Sequence, residues 1–361
     1  MPSPFCKLAD PARYVSCPWN LATDAPARVW WVEFFKRHFV RILELGIDVE
    51  VRRGAQPAEV QARADACRRT FHARCDRFLQ HPDSCGTVTV VTLDVWRDTC
   101  LREFGFHDPF ALRKEAENHA MLPLLPEVCR QLDAMTGRDR LQAAVEGVFA
   151  GNIFDLGSEQ TANSFMGRSP DFFSIRARLK PRPWLIDDLD RLMQRLLEGP
   201  PHRKAVFFVD NAGSDFMLGA LPMMRWLAQR GTHIVLAANE LPTLNDMTIE
   251  EARRWWPRIC SAEPSLAALP FQLVSTGTAE PLLDLSAVSD ELNAASTDAD
   301  LVILEGMGRA IESNLDAALT CDVLKIGMIK MEFVAERLGG QMYDLVCRFD
   351  RPGDPPRRHM R

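Results

Sequence analysis

Two groups of oxygen-bearing side chains sit where short apolar runs end in the second half of the chain. In VFFVDNAGSD, Asp210 and Asn211 follow such a run directly; in VLAANELPTLNDMT, Asn239 and Glu240 follow the next, and Asp246 lies a short loop further on. An Asp carboxylate, an Asn carbonyl and a second Asp are hard ligands, suited to Mg²⁺ or Mn²⁺ and unsuited to a closed zinc site. A metal held there would polarise a phosphoryl oxygen, orient a water and lower its pKa. The same residues also fit turn and capping chemistry, with DNAG as a turn and Asp246 as a cap before Met247. Spacing alone leaves both readings open.

Three further constellations could line a site. Glu305-Gly306-Met307-Gly308-Arg309 follows the apolar DLVIL. Its glycines would let the backbone approach a ligand or form an anion nest, and Arg309 offers a planar fork to phosphate or carboxylate. It is neither a dinucleotide fingerprint nor a phosphate loop, so nucleotide binding gains little from it. Asn152 and Asp155, in GNIFD, either cap a helix or face a cleft. Lys325 and Lys330 lie in or beside the apolar run LKIGMIK. A buried lysine needs an anion, which makes both candidates for phosphate, although a strand-end or snorkelling lysine reads the same way. Asp94 follows the strand-like TVTVVTL and imitates a phosphatase nucleophile; it lacks a second aspartate two residues on and is set aside. No HExxH or GxSxG pattern is present. The tryptophans Trp30, Trp31, Trp255 and Trp256 read as packing or interface residues rather than a cofactor box.

The elements that would position these groups fall into two styles. Helical periodicity covers 29–43, 57–80, 109–135 and 138–150, which makes 1–150 a mainly helical N-terminal subdomain packed on the core. From about residue 200, apolar runs at 204–209, 233–238, 271–275, 300–304, 323–329 and 342–348 alternate with helical segments. Buried strands alternating with helices indicate an α/β core over 151–349, with a doubly wound, mainly parallel sheet. Ligands of such sheets gather beyond the carboxyl ends of the strands, where Asp210, Glu240 and Glu305 fall. Residues 350–361 read as a flexible tail.

Bulk properties narrow the partners. A net charge of −6 offers no general attraction to nucleic acid or anionic lipid. No apolar run reaches the ~18 residues of a membrane span, and the N-terminal segment lacks the apolar stretch of a secretory signal. The cysteines are scattered without a CxxC pair, as in a reduced, cytoplasmic protein. The oligomeric state is not legible.

Taken together, GNIFD, VDNAG, AANELPTLNDMT, DADLVILEGMGR and CDVLKIGMIK resemble the damage-control phosphatase family, in the subgroup that carries the EGMGR motif. That subgroup includes stand-alone plant proteins and the 4'-phosphopantetheine phosphatase domain of a pantothenate-kinase-like protein. The resemblance runs from about residue 25 to 349 and is strongest over 145–340. It implies an α/β/α core and a divalent metal ion (manganese, cobalt, magnesium or nickel) on Asp210, Asn211 and Asp246. The implied reaction is hydrolysis of a small phosphomonoester by activated water. Lys325, Lys330 and the segment of Glu305, Gly306, Gly308 and Arg309 would bind the phosphate or its neighbours, with Asn152 and Asp155 in the same cleft. Either Glu240 or Glu305 could handle the proton. With no kinase half in front, a stand-alone form is expected. The implied substrate is 4'-phosphopantetheine or its oxidised forms; the alternatives are a sugar phosphate such as fructose 1-phosphate, or a methyltransferase using S-adenosylmethionine.

Overall fold

The structure, a computed structural model, describes residues 2–153, 172–355 and 357. Its centre is a sheet of seven strands: β1 (Ile186–Asp187), β2 (Lys204–Phe208), β3 (His233–Ala238), β4 (Phe271–Ser275), β5 (Leu301–Glu305), β6 (Asp322–Met328) and β7 (Leu345–Asp350). Their spatial order is β1-β7-β6-β5-β2-β3-β4, and β7 runs antiparallel to β6 while the other neighbours are parallel. The apolar runs therefore mark the strands, except the two-residue β1, which is too short to carry a pattern.

Successive side chains on a strand point to opposite faces, and the two apolar cores divide accordingly. Val206, Phe208, Val302 and Leu304 face one core; Ala205, Phe207, Leu301 and Ile303 face the other. The first core is covered by α1 (Ala25–Arg52), α2 (Pro57–Gln80) and α3 (Val90–Glu103). The second is covered by α4 (Ala111–Met121) only at its margin, and chiefly by α5 (Leu125–Asp133), α6 (Gly137–Ile153) and the helices Leu221–Gln229 and Ile249–Ala262. The result is a three-layer α/β/α arrangement, doubly wound as the strand pattern indicated.

Three local features differ from the sequence reading. TVTVVTL is not a strand: Thr89 caps α3 by accepting from the Thr92 backbone N–H, and Thr92 returns the bond to Thr89. That reciprocal cap outweighs the β preference of its Val and Thr residues, so Asp94 lies on a helix. The proposed boundary at 150/151 falls inside α6, which packs on the segment Asp215–Ala220 without a break. In the tail, Arg357 donates to both carboxylate oxygens of Asp188 (3.0 and 2.7 Å) and to Asp350 (2.7 Å), so residue 357 is tied to the sheet edge.

From β2 the chain moves through β3 to β4, then returns to the other side of β2 to lay down β5 and β6. The strand order thus reverses between β2 and β5. Crevices of this kind, beyond the strand ends at a reversal point, are where α/β sheets place ligands. Asp210 and Glu305 stand at its two lips.

Candidate active site

The segment after β2 is held against the loop after β3 by its backbone. Ala212 N–H donates to Asn245 O (2.8 Å), and Met247 N–H donates to Asp210 O (2.9 Å). The resulting bridge sets Asn211 opposite Asp246. The cap of the following helix, Ile249–Ala262, is Thr248, whose hydroxyl accepts from Glu251 N–H at 3.2 Å. Asp246 is therefore not the cap, and its carboxylate is directed to the cluster around Asp210.

Both lips of the crevice open into unusually wide helical turns. After β2, Phe216 N–H bonds back to Asn211 O (3.2 Å) in the turn Asp215–Ala220; after β5, Ser313 N–H bonds back to Gly308 O (3.1 Å) in the turn Met307–Glu312. Such five-residue turns are rare and cluster at functional sites. The first turns Asp215 inward. The second turns Arg309 inward, after Gly306 has taken a positive φ of 95°. A side chain on Gly306 would collide with the Asp210 carboxylate, so the strand end can come this close only with glycine. Gly151 has a similar role on α6, where a Cβ would stand 2.8 Å from Asp215 Cα.

Side-chain hydrogen bonds knit the cluster together. Asn152 Nδ2 donates to Asp210 Oδ2 (3.0 Å) and Asp215 Oδ2 (2.8 Å), and Asn211 Nδ2 donates to the same two oxygens (2.9 and 2.8 Å). With its NH₂ pinned inward, the planar amide of Asn211 turns its carbonyl the other way. Asn239 Nδ2 donates to Asp246 Oδ2 at 3.1 Å. Arg309 bridges the two outer carboxylates, through Nη1 to Asp210 Oδ1 and through Nη2 to Asp246 Oδ2 (2.7 Å). Burial works against its charge, but Asp246 and Asp210 outweigh that and raise its pKa. The sequence left phosphate or carboxylate open for this fork; in the structure its partners are the carboxylates of Asp210 and Asp246.

Glu305 is wholly buried and accepts from Asp210 N–H at 3.3 Å, while its Oε1 has no partner. Burial, then the charges of Asp215 and Asp210, push its carboxyl well above the usual range. Burial and Asp210 likewise push Asp215 up to about 6. Glu312, on the second wide turn, is pushed up to about 7 by burial, with Lys330 pulling the other way.

The remaining candidates separate cleanly. Lys330 Nζ donates to Asn152 O (3.0 Å) and lines the cavity in front of the cluster. Lys325 does not join it. Its ammonium is spent on Leu315 O (2.7 Å), Ala317 O (2.7 Å) and Asp350 Oδ2 (3.2 Å), and burial beside Arg348 lowers its pKa to about 8. Three donors with three acceptors leave nothing for a phosphate, which removes Lys325 from that role. Glu240 is exposed and outside the cluster. Gly308 lines the cavity and approaches Pro281, where a Cβ would stand 2.8 Å from Pro281 O. Asp155 lies outside the described residues. Asp215 and Glu312 were missed, although Asp215 stands one helical turn after Asn211 and could have been found by that spacing.

The cavity measures about 400 Å³. Asp210, Asn211 and Asp246 form one wall; Trp30, Phe34 and Asp94 belong to another. Among the described residues, no three His, Cys, Asp or Glu side chains converge as a ready cation cage. The candidate trio contains an amide, and its carboxylates are spanned by Arg309. The donor set still fits a hard divalent ion. Asp210, Asp215, Asp246 and Glu305 outnumber Arg309 and Lys330 in charge, and the orphaned Asn152 Oδ1, Asp215 Oδ1 and Glu305 Oε1 add buried oxygen acceptors. Such a surplus calls for a cation or for protons.

Known proteins similar to this chain show its family and fold. The model of the damage-control phosphatase ARMT1-like domain matches residues 47–346. A damage-control phosphatase of Arabidopsis thaliana is 38% identical over 364 residues, covering 96% of this chain and 97% of its own length. The 4'-phosphopantetheine phosphatase of Mus musculus is 33% identical over 96% of this chain, and pantothenate kinase 2 of Arabidopsis thaliana 36% identical over 96%. The chain spans less than half of those two longer relatives, 48% and 42% respectively. In fold, it matches the crystal structure of a DUF89 family protein from Pyrococcus horikoshii with a TM-score of 0.63 at 20% identity, over 88% of this chain and 96% of that one. Among the described residues no helix is long and apolar enough to cross a membrane.

Proposed function

The chain belongs to the damage-control phosphatase ARMT1-like family, and on that premise we propose that it is a metal-dependent phosphomonoester hydrolase. The observation that carries the proposal is the bridge that sets Asn211 against Asp246, beside Asp210, at the reversal point of the sheet. These three residues would hold a divalent ion such as manganese, cobalt, magnesium or nickel. Bound there, the ion supplies a Lewis acid for a phosphoryl oxygen and a water of lowered pKa.

The chain's own groups do the rest. Asn152 and Asn211 hold Asp210 by one carboxylate oxygen, and Arg309 fixes the spacing of Asp210 and Asp246 from behind. Lys330 brings positive charge to the cavity wall, where a phosphate would lie. Glu312 lines the same cavity and, with a pKa near neutrality, can hold or release a proton there. The substrate we propose is 4'-phosphopantetheine or its oxidised forms, supported by the name of a relative, with Trp30 and Phe34 giving the cavity an apolar side. The compartment proposed is the cytoplasm.

The test is phosphate release from 4'-phosphopantetheine and fructose 1-phosphate with Mn²⁺, Co²⁺, Mg²⁺ and Ni²⁺, alongside Asp210→Ala. Metal-dependent release from the wild type and its loss in Asp210→Ala, with the circular dichroism spectrum kept, is the expected result. Release that survives Asp210→Ala would remove Asp210 from the metal set, and faster release from fructose 1-phosphate would reassign the substrate.

A further inference from the structure

The loop that carries Asp246 is held from two sides. On one, the backbone bonds of Asn245 and Met247 fix it against the segment after β2. On the other, the chain enters through Leu244, whose φ is a positive 44°. A leucine seldom takes that conformation, which persists where the surroundings over-determine it. Among the described residues, positions 241–244 hydrogen-bond to other elements through Thr243 alone.

Thr243 is gripped by α3. Its hydroxyl accepts from Arg97 Nη2 (3.0 Å) and donates to Asp98 Oδ2 (2.7 Å). Arg97 Nε and Nη2 close the ring on Asp98 (2.7 and 2.9 Å), and Arg97 Nη1 donates to Asp94. Arg97, Asp98 and Thr243 are all buried. The carbonyl of Thr243 then accepts from Asp246 N–H (3.1 Å), which closes the turn around Leu244. Stability alone is a poor account of this cluster. α3 already packs on the first core through Val90, Leu93 and Leu101, and a buried ion cluster often stabilises no better than apolar residues of its size. What the cluster supplies is direction, because a bidentate grip bridged by a hydroxyl leaves Thr243 one orientation.

We propose that Thr243, Arg97 and Asp98 are positioning residues that set the site's affinity for its divalent ion, by holding Leu244 in its left-handed turn and so directing the Asp246 carboxylate. Their effect on the ion passes through Asp246. The proposal rests on the metal-site reading of Asp210, Asn211 and Asp246, and it extends that site into the helical layer, with α3 as a part of it rather than a cover. When Thr243 is released, Leu244 returns to negative φ and the turn opens. Asp246 then loses its aim, while Asp210 and Asn211 stay in place after β2.

The test is Mn²⁺ titration by isothermal calorimetry of the wild type, Thr243→Val and Thr243→Ser, and of Leu244→Gly with and without Thr243→Val. Valine has the shape of threonine without the hydroxyl, and serine keeps the hydroxyl. Unfolded protein lowers the stoichiometry and leaves the Kd of the folded fraction unchanged, so a scaffold defect and a positioning defect separate. Outer partners of a metal ligand are worth about 10–100-fold in affinity. Acting through one backbone bond, Thr243→Val should weaken Mn²⁺ binding about tenfold, and Thr243→Ser should stay within about threefold of wild type. Glycine holds a positive φ without strain, so on Leu244→Gly the valine substitution should cost about threefold or less. A wild-type Kd in Thr243→Val overturns the proposal, as does an equal loss in Thr243→Ser or an undiminished loss on Leu244→Gly. Wild type that binds none of Mn²⁺, Co²⁺, Mg²⁺ and Ni²⁺ overturns the metal-site reading and this proposal with it. Metal binding without release of phosphate from any ester overturns the phosphatase reading, while the Kd values still decide the role of Thr243.

Discussion

Replacing Arg309 with methionine tests how the carboxylates of the site are held. Arg309 is 1% exposed, and its fork spans Asp210 and Asp246. Methionine keeps most of the volume, so the cavity penalty is small and the loss is electrostatic. Removing one partner of a buried ion pair costs about 3–5 kcal/mol, because the other charge is left uncompensated. Here the lower figure applies. Asp210 keeps its bonds from Asn152 and Asn211, and Asp246 keeps its bond from Asn239. About 3 kcal/mol lowers Tm by about 6 °C at ~2 °C per kcal/mol, the value for larger domains. A divalent ion should then stabilise the variant more than the wild type, since a like charge has left its neighbourhood. The assay is thermal denaturation of metal-free and Mn²⁺-saturated forms of wild type, Arg309→Met and Arg309→Lys. Lysine, a point charge, can reach one carboxylate and should fall between the other two. An unchanged Tm in the metal-free methionine variant, or a smaller rise with Mn²⁺ than the wild type shows, would refute the idea that Arg309 supplies the countercharge of the two carboxylates.

Other perturbations separate site from scaffold. Gly306→Ala should abolish metal-dependent turnover, because its Cβ would collide with the Asp210 carboxylate and its φ of 95° disfavours any side chain; activity near wild type would mean the lip can move aside. Lys325→Met should lower Tm yet leave the KM for phosphomonoester unchanged, since its ammonium serves Leu315, Ala317 and Asp350; a raised KM would restore it to the phosphate site. Burial alone would raise the pKa of Asp350, but Lys325, Arg357 and Arg348 together lower it. The stability it adds is thus present above its unfolded value of about 3.9 and lost as pH falls through the lower folded value. Denaturation of Asp350→Asn across that acid range should show a shallower pH dependence than wild type, and an identical slope would count against the linkage.

The sequence made the catalytic half of the molecule more legible than the helical half, for a physical reason. Strands buried on both faces leave continuous apolar runs, and a carboxylate at the end of such a run stands out, as Asp210, Asn211 and Glu305 do. Asp246 was found by its closeness to the β3 run, but its freedom from capping duty depends on Thr248 and was invisible without the backbone. Lys325 misled because a lysine in an apolar strand reads alike whether its anion is a ligand or two backbone carbonyls and an aspartate. Asp94 was placed after a strand because Val and Thr favour strands; the Thr89–Thr92 cap decides otherwise, and no alternation rule reports a cap of that kind. Asp215 stands one helical turn after Asn211 and Glu312 three residues after Arg309, so both were open to a helical-spacing reading of the segments after β2 and β5.

The layout also separates chemistry from selection. Asp210, Asn211, Glu305 and Arg309 stand at the ends of β2 and β5, and Asp246 is tied to them by backbone bonds, so their spacing is fixed by the sheet and its hydrogen bonds. Trp30, Phe34 and Asp94 come from α1 and α3, which pack on the sheet through side chains of the first core. Register within a sheet tolerates little movement, whereas a helix resting on a face can shift with the size of the side chains beneath it. Changes in α1, or in α3 away from Arg97 and Asp98, should therefore alter which alcohol is accepted while the carboxylate wall keeps its geometry. Arg97 and Asp98 of α3 both hydrogen-bond Thr243, whose carbonyl accepts from Asp246 N–H, so this helix is tied directly to the loop of Asp246. A substrate seated against α3 would thus bear on the loop that carries Asp246, so that recognition of the alcohol and alignment of the reacting centre are mechanically joined.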